Sequence, residues 1–145
     1  MFVLHPRLVA DSIEIGRLPL CRLLLINDKN YPWCVLVPQR ESIREIHELT
    51  REDRQQLLDE SCVLSELMEA LFQPVKMNVA ALGNMVPQLH LHHIARFESD
   101  FAWPNPVWGA VAATPYEEVQ INNRVDLIRQ AFQDTDLRLT VPLQT

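Results

Sequence analysis

Apolar and polar positions alternate near the start of the chain and later settle into helical stripes. Residues 12–15 alternate, and residues 21–26 form a short apolar run closed by the turn signal Asn27-Asp28-Lys29-Asn30-Tyr31-Pro32. Residues 33–37 form a second run ended by Pro38, so an antiparallel hairpin is expected there. Two helices should follow. Ser42 with Glu45 reads as a capping box opening a short helix through Leu49, and Thr50 with Asp53 caps a longer one stopped by Pro74. On the longer helix Leu57, Leu64, Met68 and Leu71 recur at spacings of seven, four and three, a stripe for packing on a sheet. Strand patterns return at residues 75–82 and 88–95, and a loop rich in aromatics and prolines spans 97–109. Thr114-Pro115-Tyr116-Glu117 reads as the opening of a last helix whose apolar face is Ile121, Val125, Ile128 and Phe132. The tail after Asp136 reads as a strand-like arm or a frayed end. Strands and helices in blocks, rather than in strict alternation, predict an α+β domain on an antiparallel sheet of about five strands, with two flanking helices and a C-terminal helix.

Composition narrows the picture without changing it. The 145 residues fit one domain, with a core over about 12–109 and the last helix and tail at 114–145. A hydrophobic share of 48% with 22% charged residues suits a packed core rather than disorder. The longest apolar run, around residues 18–26, is broken by Pro19 and Arg22, so no membrane span is expected. Residues 1–7 lack a basic segment followed by an apolar one, which leaves a cytoplasmic location as the expectation. Net charge −6 provides no basic footprint for a nucleic acid polymer, although a few local donors suffice for a mononucleotide. Cys21, Cys34 and Cys62 are far apart and lack CxxC spacing, so they read as reduced, buried small hydrophobes. With only three glycines, the Rossmann and P-loop signatures are absent. The acids Glu52, Asp53, Asp59 and Glu60 read as a solvated helix face.

Three of the five histidines, His90, His92 and His93, fall within four residues. On a strand, Gln88, His90, His92 and Ile94 share one face, while Leu89, Leu91 and His93 share the other. The leucines call for a core, which leaves Gln88, His90 and His92 facing a cavity or solvent. Two imidazoles and a carboxamide in a row can grip a tetrahedral phosphate. A neutral imidazole nitrogen attacks phosphorus, and protonated imidazole and amide N–H groups neutralise its oxygens. The same pattern also serves a structural strand, or two imidazole ligands of one zinc or iron ion. Spacing alone leaves these open.

The wider segment Gly83-Asn84-Met85-Val86-Pro87-Gln88-Leu89-His90-Leu91-His92-His93-Ile94 resembles the histidine triad signature, a glycine followed five residues later by three histidines alternating with apolar residues. Residues 23–38 resemble the family's strand-turn-strand, and the likeness covers roughly residues 12–109. It implies an antiparallel sheet with two flanking helices, a homodimer, and hydrolysis or transfer of nucleotidyl groups on dinucleoside polyphosphates, nucleoside phosphoramidates or similar compounds. By that resemblance His90 is the nucleophile, forming a nucleotidyl-imidazole intermediate, with His92 and Gln88 on the phosphate oxygens. Asn27 or Asp28 takes the ribose, Asn84 belongs to the phosphate-side loop, and Trp103 shapes a base or leaving-group pocket across a dimer interface. No metal or other cofactor is implied. Trp103 and Trp108 also read as core or interface filling, and Arg96 as either a phosphate cation or a surface charge.

The chain departs from the signature at four positions. Gln88 stands at the first histidine, Cys34 where many members carry a histidine, Met85 at a position often Ser or Thr, and His93 at an apolar one. The first three motivate a second reading, a nucleotide-binding module without catalysis. The H-x-H strand motivates a third, a metal-binding protein using His90 and His92.

Overall fold

The computed structural model describes residues 1–143. Its centre is a five-stranded antiparallel sheet formed by β1 (Ser12–Arg17), β2 (Cys21–Ile26), β3 (Trp33–Pro38), β4 (Lys76–Ala80) and β5 (Leu91–Arg96), in the order β1-β2-β3-β5-β4. The hairpin forms as expected, because the 27–32 turn returns the chain with Leu25 opposite Cys34. A bulge between Glu14 and Gly16 brings β1 toward the C-terminal arm, where Thr140 bridges Arg17. A Cβ on Gly16 would lie 2.7 Å from Leu139 Cδ1, so only glycine admits the arm at that distance.

Alternation along the strands sorts the side chains into two layers. Leu23, Leu25, Cys34, Leu36 and Leu91 face α2 (Arg51–Phe72) and α3 (Glu118–Gln133), whose Leu57, Leu64, Met68, Val125, Ile128 and Phe132 complete one core. Leu24, Val35 and Val37 point the other way and pack against Leu4, Leu8 and Val86. Leu8 sits on α1 (Pro6–Asp11), a six-residue helix too short for its periodicity to stand out in sequence.

Several boundaries shift for physical reasons. The expected helix at 42–49 is only a 3₁₀ turn, Ile46–Glu48, capped by Glu45 and Glu48, because Ser42 takes a left-handed φ of 58°. The last helix starts at Glu118 rather than near Pro115, since the N–H groups of Thr114 and Tyr116 are claimed by Asp28 and Asn27. Glu60 is fully buried rather than solvated. Its carboxylate accepts from the backbone N–H of Leu20 and of Cys21, each at 2.9 Å. Cys21 and Cys34 are buried as expected, whereas Cys62 is exposed. Among the described residues no helix is long and apolar enough to cross a membrane.

Candidate functional site

The histidine segment is half strand and half lead-in. Leu91 opens β5, so Gln88, Leu89 and His90 stand before the first ladder pairing. The alternation still holds: Leu89 and Leu91 enter the helix-side core, while His90 and His92 line a cleft of about 390 Å³ on the opposite face. α1 supplies Arg7, Leu8 and Asp11 to the cleft, and the hairpin supplies Ile26 and Trp33. Residues 82–86, including Asn84, form a further wall, with Gly83 at φ +77°, and Trp108 covers the side toward the aromatic loop.

Hydrogen bonding fixes the two imidazoles in opposite tautomers. Nδ1 of His90 lies 2.7 Å from the Gln88 carbonyl oxygen. A carbonyl only accepts, so Nδ1 carries a hydrogen, and the neutral ring has its lone pair on Nε2. Nδ1 of His92 lies 3.0 Å from Nε1 of Trp33, which only donates. Neutral His92 therefore carries its hydrogen on Nε2. The rings stand 4.9 Å apart between centroids at 72°. Burial, then proximity to His90 and His93, lowers the His92 pKa to about 3, so this imidazole is neutral near pH 7 rather than the cation the sequence suggested. The arrangement pairs a basic nitrogen with a neutral N–H donor on one wall of an apolar cleft.

His93 lies on the other face and serves the core. Its Nδ1 donates to the Leu91 carbonyl at 3.0 Å and its Nε2 accepts from Ser61 Oγ on α2 at 2.7 Å, tying sheet to helix. Burial lowers its pKa to about 4, although the bond to Leu91 pulls upward.

Other expected site residues divide. Asn84 lines the cleft, exposed on its loop. Gln88 does not, because its carboxamide is committed elsewhere: Oε1 accepts from the His5 N–H and Nε2 donates to the Val3 carbonyl, both at 2.9 Å. Gln88 thus staples the N-terminal segment beside the histidines instead of reaching a phosphate. Asn27 and Asp28 line an adjoining pocket, but Asn27 Oδ1 accepts from Tyr116 N–H and Asp28 Oδ1 from Asn30 and Thr114 N–H. Asp11, Ile26 and Trp33 belong to both pockets.

Trp103 stands outside the cleft, with its ring 5.7 Å from the Arg96 guanidinium carbon. Trp108, read from sequence only as core or interface filling, stands at the cleft, edge-on to His92 at 5.1 Å and to Trp33 at 5.8 Å. Arg96 is neither a surface charge nor a cleft residue. It is 1% exposed, bonds both oxygens of Asp100, and also donates to Asn78 Oδ1 and the Asn105 carbonyl. Burial alone would raise the Asp100 carboxyl, but Arg96 and the N–H groups of Phe97, Trp103 and Ala102 outweigh it and hold it at about 2. This buried pair shapes the loop that presents Trp108.

Sequence reasoning missed Arg7, Asp11, Trp33 and Trp108. For Trp33 a signal existed, since alternation from Cys34 and Leu36 places Trp33, Val35 and Val37 on the histidine face. Nothing in the sequence favoured Trp108 over Trp103. Among the described residues, no group of three or more His, Cys, Asp or Glu side chains is placed to hold a metal ion.

Comparisons with known proteins bear on the family and the fold. The sequence profile described as the HIT domain matches residues 7–99. A histidine triad protein from Marinobacter aquaeolei is 53% identical with a TM-score of 0.90, over 92% of this chain and 97% of that one. Histidine triad proteins from Bradyrhizobium japonicum and Sinorhizobium meliloti are each 42% identical with a TM-score of 0.88, over 90% of this chain and 97% of theirs. No curated protein matches the chain. A profile match over most of the chain, joined to close structural relatives and a histidine strand facing a cleft, makes this protein a member of the histidine triad, or HIT domain, family.

Proposed function

We propose that the protein is a nucleotide phosphohydrolase or nucleotidyl transferase working through a covalent nucleotidyl-histidine at His90. The observation that carries this reading is the bond from His90 Nδ1 to the Gln88 carbonyl, which in the neutral ring puts the lone pair on Nε2, beside the cleft. That lone pair attacks the phosphorus bearing the nucleoside. The N–P bond forms, the bond to the leaving group breaks, and the leaving group departs with the electron pair. Water or another acceptor then attacks phosphorus, the N–P bond breaks, and His90 recovers its lone pair while the acceptor's proton passes to solvent. His92 donates its Nε2–H to a non-bridging oxygen, strengthening as charge builds there. Dinucleoside polyphosphates and nucleoside phosphoramidates fit this chemistry.

Gln88 enters as a positioning residue, since its carbonyl orients His90 and its carboxamide holds the N-terminal segment. Asn84 and Trp108 border the space for phosphate and base, and Trp33 and Ile26 its apolar side. A homodimer is supported by β4, an edge strand with exposed Val79, and by the groove that β4 forms with Pro104, Pro106 and Trp108. Trp108 borders both that groove and the cleft, so pairing of two copies would bear on the site.

The test is His90→Ala assayed on a panel of dinucleoside polyphosphates and nucleoside phosphoramidates. Loss of about 10³-fold or more in kcat is expected. Hydrolysis near the wild-type rate would remove the nucleophile assignment. Tight mononucleotide binding by a wild-type protein without turnover would favour the binding-module reading, which the withdrawn Gln88 amide and Met85 support.

A further inference from the structure

We propose that Arg7 on α1 is a further binding residue of the cleft, supplying the positive charge that a nucleotide's phosphate meets there. The inference rests on the nucleotide reading above and names a residue outside the histidine strand.

Among the described residues lining the cleft, Arg7 is the only Lys or Arg and Asp11 the only carboxylate. The remainder of the lining is largely apolar or aromatic, with Leu8, Ile26, Trp33, Met85 and Trp108 prominent. A phosphate entering such a cleft loses part of its hydration and requires a countercharge. The histidines do not provide one in the attacking state. His90 must keep its Nε2 lone pair, and His92 offers a neutral N–H because its Nδ1 is occupied by Trp33.

The N-terminal segment that carries Arg7 is built into the site. Gln88 holds Val3 and His5, Nδ1 of His5 accepts the backbone N–H of Arg7, and Leu4 and Leu8 are buried against the sheet. Gln88, two residues before the nucleophile, therefore commits its carboxamide to the segment that brings a cation to the same cleft. The Arg7 side chain remains available. Its Nε lies 3.6 Å from Asp11 Oδ2, with the two side chains 55% and 61% exposed, a pairing that holds little in water. A guanidinium can instead make two parallel bonds to phosphate oxygens.

Calorimetric titration of the wild type, Arg7→Gln and Arg7→Lys with AMP and GMP, and with adenosine and guanosine, tests the proposal. The wild type is expected to bind the nucleotide at least tenfold more tightly than its nucleoside. Arg7→Gln should lose about tenfold or more for the nucleotide and nothing for the nucleoside, with part of the loss restored in Arg7→Lys. Unchanged nucleotide affinity in Arg7→Gln would overturn the proposal, as would an equal loss for nucleoside and nucleotide, which marks a merely structural α1. A wild type that binds no nucleotide defeats the reading of the cleft itself, and this inference with it.

Discussion

The indole N–H of Trp33 donates to Nδ1 of His92 over 3.0 Å, and that bond decides which nitrogen of His92 carries hydrogen toward the cleft. Two neighbouring imidazoles on one strand face thereby acquire different jobs, because their Nδ1 partners differ in kind. A carbonyl makes His90 basic at Nε2, and an indole makes His92 a donor there.

Trp33→Phe keeps an aromatic ring against His92 and Trp108 but removes the N–H. The expected result is a loss in kcat of about fivefold, the worth of one hydrogen bond of roughly 1 kcal/mol, with a smaller change in KM. The His92 titration should rise above the present value of about 3, since protonation at Nδ1 no longer displaces a donor. Steady-state kinetics and histidine NMR check this, and an unchanged kcat and pKa would contradict it.

Gln88→Ala removes two hydrogen bonds that staple residues 3–5 while leaving the backbone carbonyl that orients His90. A stability loss of about 1–3 kcal/mol is expected, with faster amide exchange at His5 and in α1. KM should rise more than kcat falls, because the binding wall loosens while the nucleophile keeps its tautomer. Equal protection of α1 in both proteins would refute the staple.

Acid should destabilise the fold in two stages. His92 and His93 titrate near 6.5 when unfolded but are lowered by burial to about 3 and about 4 in the native state. The unfolded chain therefore binds protons first as pH falls. Their contribution is complete above pH 6.5 and lost below it, at about 1.4 kcal/mol per pH unit per histidine until the folded values are reached. Asp100, held at about 2 against 3.8 unfolded, adds a second loss as pH falls through that lower window. Urea midpoints between pH 7 and 4.5 should decline steadily, and less steeply in His93→Gln. A flat profile would contradict the assignment.

Only Cys62 should react with a thiol reagent in the native protein. Cys62 is exposed, whereas burial pushes the Cys34 thiol up to about 12, and burial with the adjacent Glu60 raises Cys21 further. One thiol per chain is expected to titrate at pH 8 and three in denaturant. Native reaction of Cys21 or Cys34 would show that these core faces open.

Periodicity carried the sheet and the two long helices, because Leu57, Leu64 and Met68, or Val125, Ile128 and Phe132, have no other way to leave water. Local cap signals did less well. Ser42 and Thr114 both look like helix starts, yet a left-handed turn takes the first, and Asp28, 86 residues earlier in the chain, claims the second. The histidine face was readable from alternation alone. What faces it was not, since α1 and Trp108 arrive by tertiary packing from segments before and after the histidine strand. Gln88 shows the limit most clearly: its hydrogen-bonding capacity follows from its identity, but its partners 83 and 85 residues away do not.

The central claim is that a bond forms between His90 Nε2 and phosphorus. Intact-mass analysis of protein quenched without acid during turnover of a nucleoside phosphoramidate or dinucleoside polyphosphate tests it most directly. The account predicts a mass increase of one nucleotidyl group, mapped to the peptide containing residues 88–94 and absent from His90→Gln. Full turnover with no adduct in the wild type, and equal turnover in His90→Gln, would contradict it.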